Sequence, residues 1–225
     1  SVSNCESSSG NLIQVMSAPA KFTTGGLLNI ARSDFTITPL QNGMIMVAGG
    51  INSAGTVEKT VELYDPVTNK WTSTGDMKTA RRGHAATLLR DGRVLITGGY
   101  DGTVATTTLN KAETYDPATG VWTNTTGTLL QARRWHTSTL LNNDKVLIVG
   151  GSVSAGGASS TVVELFDPTA GTFSAAASLR LSRQGHTATL LPTGQVLIVG
   201  RNNSDGSLST VGSFTNVVSS RTTEI

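Results

Sequence analysis

Apolar residues in this chain fall in short runs of strand length, each closed off by Gly, Asp, Pro, Ser or Thr. Between residues 81 and 132 four such runs occur, at 84–89, 93–97, 112–115 and 121–124, rich in Val, Ile, Leu, Thr and aromatics. Asp91-Gly92, between the first two, is a strong signal for a tight hairpin, and Asn42-Gly43 and Thr193-Gly194 take the same place elsewhere. The pattern predicts a four-stranded antiparallel sheet and essentially no helix.

The unit repeats. Doubled glycines stand at Gly49-Gly50, Gly98-Gly99 and Gly150-Gly151, followed by a degraded Gly200-Arg201. An aromatic-Asp-Pro triplet occurs at Tyr64, Tyr115 and Phe166, 51 residues apart each time. Further aromatics mark Phe22, Trp71, Trp122 and Phe173. Arg-x-x-His occurs at Arg81 with His84, Arg133 with His136, and Arg183 with His186; the first copy keeps Arg32 but has Phe35 instead of histidine. Independent markers holding one period of about 50 residues define a repeat array. A single sheet of this size cannot bury its own faces, so neighbouring units must stack, and stacking around an axis is the propeller solution.

A double glycine, an aromatic-Asp-Pro and a Trp at this period resemble the kelch repeat. The wording Arg-x-x-His-x-x-x-Leu-Leu followed by Gly-x-Val-Leu-Ile-x-Gly-Gly is similar to kelch domains of the galactose oxidase type. The resemblance covers residues from about 20 to 200. It implies an all-β, kelch-type propeller of four-stranded antiparallel blades, with four to five blades present, as one domain over 1–225. The units are approximately 1–31 (partial), 32–80, 81–132, 133–182 and 183–225 (partial). Because this scaffold hosts unrelated activities, the resemblance speaks for the fold and leaves function open.

Each marker has a physical reason. Glycine at the end of the second strand permits positive φ and lets a neighbouring ring lie against bare main chain. Asp-Pro turns the chain, with the Asp side chain capping its own backbone. The tryptophans fill the wedge between blades, where about 150–250 Å² can be buried per ring. Glu62, Glu113 and Glu164, two residues before each aromatic, keep the beat of the arginines, which predicts structural Arg–Glu pairs. A competing expectation places Arg32, Arg81, Arg133 and Arg183 on one rim as an anion-binding ring. His84, His136 and His186 are repeat-equivalent, so a propeller spreads them apart; a hydrogen-bonded histidine at the base of each inner strand is expected, and no metal.

Composition excludes several classes. Charged residues are 14% of the chain, hydrophobic residues 37%, and the net charge is +2. That balance gives no footprint for nucleic acid, and no run approaches the roughly 18 apolar residues of a membrane span. Cys5 is the lone cysteine, so no intrachain disulfide or multi-cysteine metal motif can form. The chain begins at Ser1 without a signal-like segment, which reads as processing or excision from something longer. A low-lysine, Ser/Thr-rich surface points to a secreted or cell-surface location.

The galactose oxidase resemblance implies a copper radical site built from a cross-linked Cys and Tyr, a second Tyr and two His. Cys5 lies outside the repeats, every His is a repeat position, and Tyr64 and Tyr115 belong to turns, leaving Tyr100 alone. That ligand set cannot be assembled, no Gly-x-Ser-x-Gly elbow is present, and no cofactor is expected. The expectation is a non-catalytic binding or scaffolding module for a protein partner or a glycan. The alternative is a carbohydrate-active domain, oxidase-like or mutarotase-like, with its catalytic residues elsewhere. The informative departure is the position before each histidine, which reads Asp34, Gly83, Trp135 and Gly185: Trp135, beside Arg133 and Arg134, could stack on a sugar or pack on a partner. Loops at 152–160 and 202–209 are expected as surface insertions. Strand-like runs at 12–16 and 209–214 compete for one slot, so the ring either closes with four blades or continues as an arc of a larger ring, which would favour self-association through exposed blade edges.

Overall fold

A computed structural model describes residues 14–17, 21–102, 108–153, 157–200 and 212–214. Cys5, Arg201 and the 202–209 loop lie outside the described residues, as do part of the 152–160 loop and the side chains of Phe22 and Phe214. Among the described residues every regular element is a strand.

The chain opens with a ribbon of β1 (Gln14–Ser17) and β2 (Lys21–Thr24). The first blade follows with β3 (Arg32–Ser33), β4 (Thr36–Pro39), β5 (Ile45–Ala48), β6 (Ile51–Asn52), β7 (Val61–Asp65) and β8 (Lys70–Ser73). Its sheet runs β4-β5-β7-β8, while β3 pairs with β6 beside it. The second blade is β9 (Ala85–Leu88), β10 (Val94–Thr97), β11 (Ala112–Asp116) and β12 (Val121–Asn124). The third is β13 (Thr137–Leu140), β14 (Val146–Val149), β15 (Val163–Asp167) and β16 (Thr172–Ala175). The fourth has three strands, β17 (Thr187–Leu190), β18 (Val196–Val199) and β19 (Gly212–Phe214). All pairings are antiparallel. β4, β9, β13 and β17 lie side by side in that order as the innermost strands, and the described sheets do not close into a ring.

The core consists of three wedges, one per pair of neighbouring blades. Met46, Ala48 and Val61 of the first blade meet Val94, Ile96, Tyr115 and Trp122 of the second. Leu95 and Ala112 meet Val146, Ile148 and Phe166, and Leu147, Val149 and Val163 meet Val196 and Ile198. A second strand therefore buries both of its faces, which is why Val-Leu-Ile-Val is continuous rather than alternating. Burying each such side chain contributes about 1.5–3 kcal/mol. The outer-strand aromatics close the wedge: Tyr115 and Trp122 rings lie 4.9 Å apart, and the Trp122 indole N–H donates to the Gly75 carbonyl at 2.7 Å.

The turns follow their chemistry. Asp116 Oδ1 accepts the Ala118 N–H at 2.9 Å, and Asp65 and Asp167 cap their own turns in the same way. Gly98, at φ +59°, shows what the double glycine is for: a Cβ there would lie 2.3 Å from the Arg133 carbonyl oxygen and 2.8 Å from the His136 ring. The next blade's histidine and arginine press on bare backbone at that point, and the same contacts recur at Gly49 and Gly150.

Candidate functional site

Strand direction sorts the molecule into two ends. The Asp-Gly and Asp-Pro turns share one end, where Arg90 pairs with Asp144 of the next blade. Two shallow grooves lie there: one of about 190 Å³ is bordered by Asp91, Arg93, Asp144 and Pro168, and one of about 240 Å³ by Gln41, Asn42 and Asp116. The double glycines, the Arg-x-x-His segments and the longer loops lie at the other end.

The repeat arginines are interior. Arg81 Nη2 donates to Glu113 Oε1 at 2.6 Å, Arg133 Nη2 to Glu164 Oε1 at 2.5 Å, and Arg32 Nη2 to Glu62 Oε1 at 2.8 Å. The three arginine side chains are 0% exposed. In the second blade the Glu113 carboxylate also accepts the Lys78 and Thr79 N–H groups, at 2.6 and 3.0 Å. Arg81 Nη1 donates to the carbonyls of Gly98 and Lys111, and its own carbonyl accepts the Gly50 N–H of the preceding blade at 2.9 Å. One arginine thus ties its blade's second and third strands to the entering chain and to the neighbouring blade. Burial pulls the Arg81 pKa down, and the Glu113 charge opposes that pull.

This geometry bears out the Arg–Glu pairing and corrects the rim expectation. Arg32, Arg81 and Arg133 do not present guanidinium groups to a ligand; their desolvation is tolerable because carboxylates and carbonyls replace water inside the protein. Arg183 is likewise buried, 4% exposed.

The histidines are joints between blades. His84 Nε2 bonds Thr36 Oγ1 at 2.9 Å and His186 Nε2 bonds Thr137 Oγ1 at 2.9 Å, each on the preceding inner strand. The second blade has Ala85 at that station, and His136 bonds Thr97 at 2.8 Å instead. Ala85 and Thr97 face each other across β9 and β10, where the first blade has Thr36 facing Ala48. The hydroxyl has moved one strand over and the bond survives. Burial first, then the Arg81 charge, pushes the His84 pKa down to about 3; burial and Arg183 push His186 down to about 4. His136 is driven well below its usual range by burial and Arg133.

One surface at this end departs from the repeat. Asp34, Gly83, Trp135 and Gly185 are equivalent and all have positive φ, at 54°, 60°, 52° and 59°. They form a blade-to-blade chain: the Gly83 N–H donates to the Asp34 carbonyl (3.0 Å), Trp135 to Gly83 (2.7 Å) and Gly185 to Trp135 (2.8 Å). Glycine suits this left-handed station; a tryptophan there is strained. Its ring lies over Gly83, whose missing Cβ would sit 2.7 Å from the indole Nε1, and the residue remains 41% exposed. The Arg134 guanidinium carbon lies 4.5 Å from the Trp135 ring centroid and 5.3 Å from that of Tyr100. Arg82 covers Tyr100 at 5.2 Å and reaches Asp34 at 3.4 Å. Burial and the neighbouring Arg82 charge both lower the Arg134 pKa.

Of the sequence-selected residues, then, Trp135 reaches the surface with the buried Arg134 guanidinium packed against its ring, and the other arginines lie apart from it. Tyr100, Arg82 and Asp34 are the additions. Tyr100 follows the double glycine where the other copies have Ile51 and Ser152, so comparing that station across copies would have found it.

Comparisons with known proteins fit this architecture. Residues 39–78 and 81–126 each match the model of the Kelch motif. The solved structure of YjhT superposes with a TM-score of 0.70 at 18% identity, covering 82% of this chain and 64% of that one. The chain therefore spans less than two thirds of YjhT's length, and the likeness concerns the fold. No curated protein matches the sequence. Repeat markers, blades and matches together define kelch-type propeller blades. The chain carries Kelch motifs over residues 39–78 and 81–126 and has the fold of kelch-type β-propeller blades.

Proposed function

We propose that this chain is a non-catalytic binding module, and that ligand contact is made at Trp135 with Tyr100 and Arg82 beside it, the buried Arg134 guanidinium backing the two rings. The observation that carries the reading is Trp135 itself. A large ring is held, partly exposed, at a strained station that two sibling blades fill with glycine. Strain kept without need by the fold supports a functional role.

The surface chemistry is stacked aromatic and guanidinium planes. Such planes offer a flat apolar face with bidentate N–H donors around it, suited to a sugar ring or to a protein surface bearing carboxylates and aromatics. Glycan and protein partners both fit, and an extracellular setting fits the Ser/Thr-rich, lysine-poor composition. A glycan array and a pull-down distinguish the partners, with Trp135→Ala as the control. Loss of binding with an unchanged fold is expected; unchanged affinity for an identified ligand would contradict the Trp135 assignment. The non-catalytic reading predicts no acceleration of anomer interconversion when the protein is added to free sugars.

The edges support self-association as a further part of this reading. Ile37, on the first blade's inner strand, is 54% exposed, and the fourth sheet has three described strands where its neighbours have four. Unpaired edges and open apolar faces favour pairing with other polypeptide. Sedimentation at dilute concentration tests this, and a compact monomer of 23.3 kDa would contradict it.

A further inference from the structure

The fourth blade repeats the cationic half of the buried Arg–Glu pair without the acidic half. Arg183 occupies the station of Arg32, Arg81 and Arg133. Its Nη1 donates to the Gly200 carbonyl at 3.2 Å, as theirs do to Gly49, Gly98 and Gly150. Its carbonyl accepts the Gly151 N–H at 2.8 Å, and its own N–H donates to the Ser160 carbonyl at 3.1 Å.

Strand register identifies the missing group. Ile148 pairs with Glu164 in the third blade, and Ile198 pairs with Gly212 in the fourth. Gly212 therefore stands at the glutamate station and brings no side chain. Among the described residues Arg183 has no acidic partner, and its buried Nε has no hydrogen-bond acceptor. In the other blades Nε donates to the carbonyl two residues earlier, for Arg133 that of Gln131 at 3.3 Å. The rest of the cradle persists. The Leu179 N–H bonds the Thr161 carbonyl as Leu129 bonds Asn110, so the chain enters both blades along one path. That path puts the Arg180 and Leu181 N–H groups at the stations from which Leu130 and Gln131 donate to Glu164.

We propose that this cradle is an open carboxylate site, filled by a free carboxylate ligand or by an Asp or Glu side chain of a second copy of the chain. A guanidinium fork with two backbone N–H groups converging on it matches two carboxylate oxygens. A buried guanidinium left without its counter-charge is costly, so occupancy stabilises the blade.

Thermal unfolding in sodium acetate, against sodium chloride at equal ionic strength, tests the site. The wild-type chain is expected to gain about 2–4 °C saturably with acetate and not with chloride. Gly212→Glu supplies the carboxylate internally and is expected to raise the midpoint and abolish the acetate gain. Arg183→Met breaks no pair and is expected to fold and to lose the gain. Dilution separates the sources: with a second copy as donor, the midpoint falls on dilution and acetate acts only on dilute protein. With a free ligand the gain is independent of protein concentration. An equal acetate gain in wild type and both variants would overturn the proposal. So would no gain at any dilution.

Discussion

Strands β14 and β18 have the same sequence, Val-Leu-Ile-Val, and different surroundings. In β14 all four residues are buried; in β18 Val196 and Ile198 are buried, Leu197 is half-buried and Val199 is 38% exposed. The buried residues of β18 face the third blade, and the other two face the side where no further blade is packed among the described residues. Burial in this fold is thus a property of having neighbours on both sides, not of the strand's own sequence. The Arg–Glu pair divides the same two blades, complete at Arg133 and Glu164 and half-present at Arg183.

The largest effect expected is on the completed pair. Glu164→Gln or Glu113→Gln leaves a buried guanidinium without its counter-charge and should cost about 3–5 kcal/mol in urea unfolding. Arg183→Met should cost less than about 1 kcal/mol. Comparable losses in both would erase the distinction between the blades.

Next come the glycines at the blade joints. Gly98→Ala drives a Cβ into the Arg133 carbonyl at φ +59° and should cost roughly 3 kcal/mol. Gly200→Ala meets nothing nearer than 3.7 Å, so only its φ of +107° opposes it, and roughly 1–2 kcal/mol is expected.

Acid should act through the histidines. Their folded pKa values lie below the ordinary value of about 6.5, near 3 for His84 and 4 for His186. The unfolded chain binds protons first, so the stability they contribute is full above pH 6.5 and is lost as pH falls toward 4 and then 3. The slope is at most about 1.4 kcal/mol per pH unit for each histidine. His84→Gln should flatten the urea midpoint against pH; an unchanged profile would show that His84 titrates normally.

The smallest effect expected is at Trp135. Trp135→Gly exchanges ring packing on Gly83 for relief at φ 52°, and stability should change by less than about 1 kcal/mol. Ligand binding should fall while the melting curve stays in place.

Much of this was legible in the sequence, because the markers fix stations and the stations fix neighbours. The Arg–Glu pairing followed from two series keeping one beat. Side-chain direction did not: an arginine at the foot of an inner strand can point to the rim or into the blade, and spacing alone is silent on which. Tyr100 and Arg82 were missed because departures were compared at one station only. Gly212 is readable once Phe214 is aligned with Phe166, since the residue two before then falls where Glu164 stands.

Native-state hydrogen exchange on β14 and β18 tests the central claim, that the paired blades are locked and the fourth is open. The Val146–Val149 amides should exchange only through global unfolding, and the Val196–Val199 amides through a partial opening several-fold to many-fold more frequent. Equal protection of the two identical strands would contradict it.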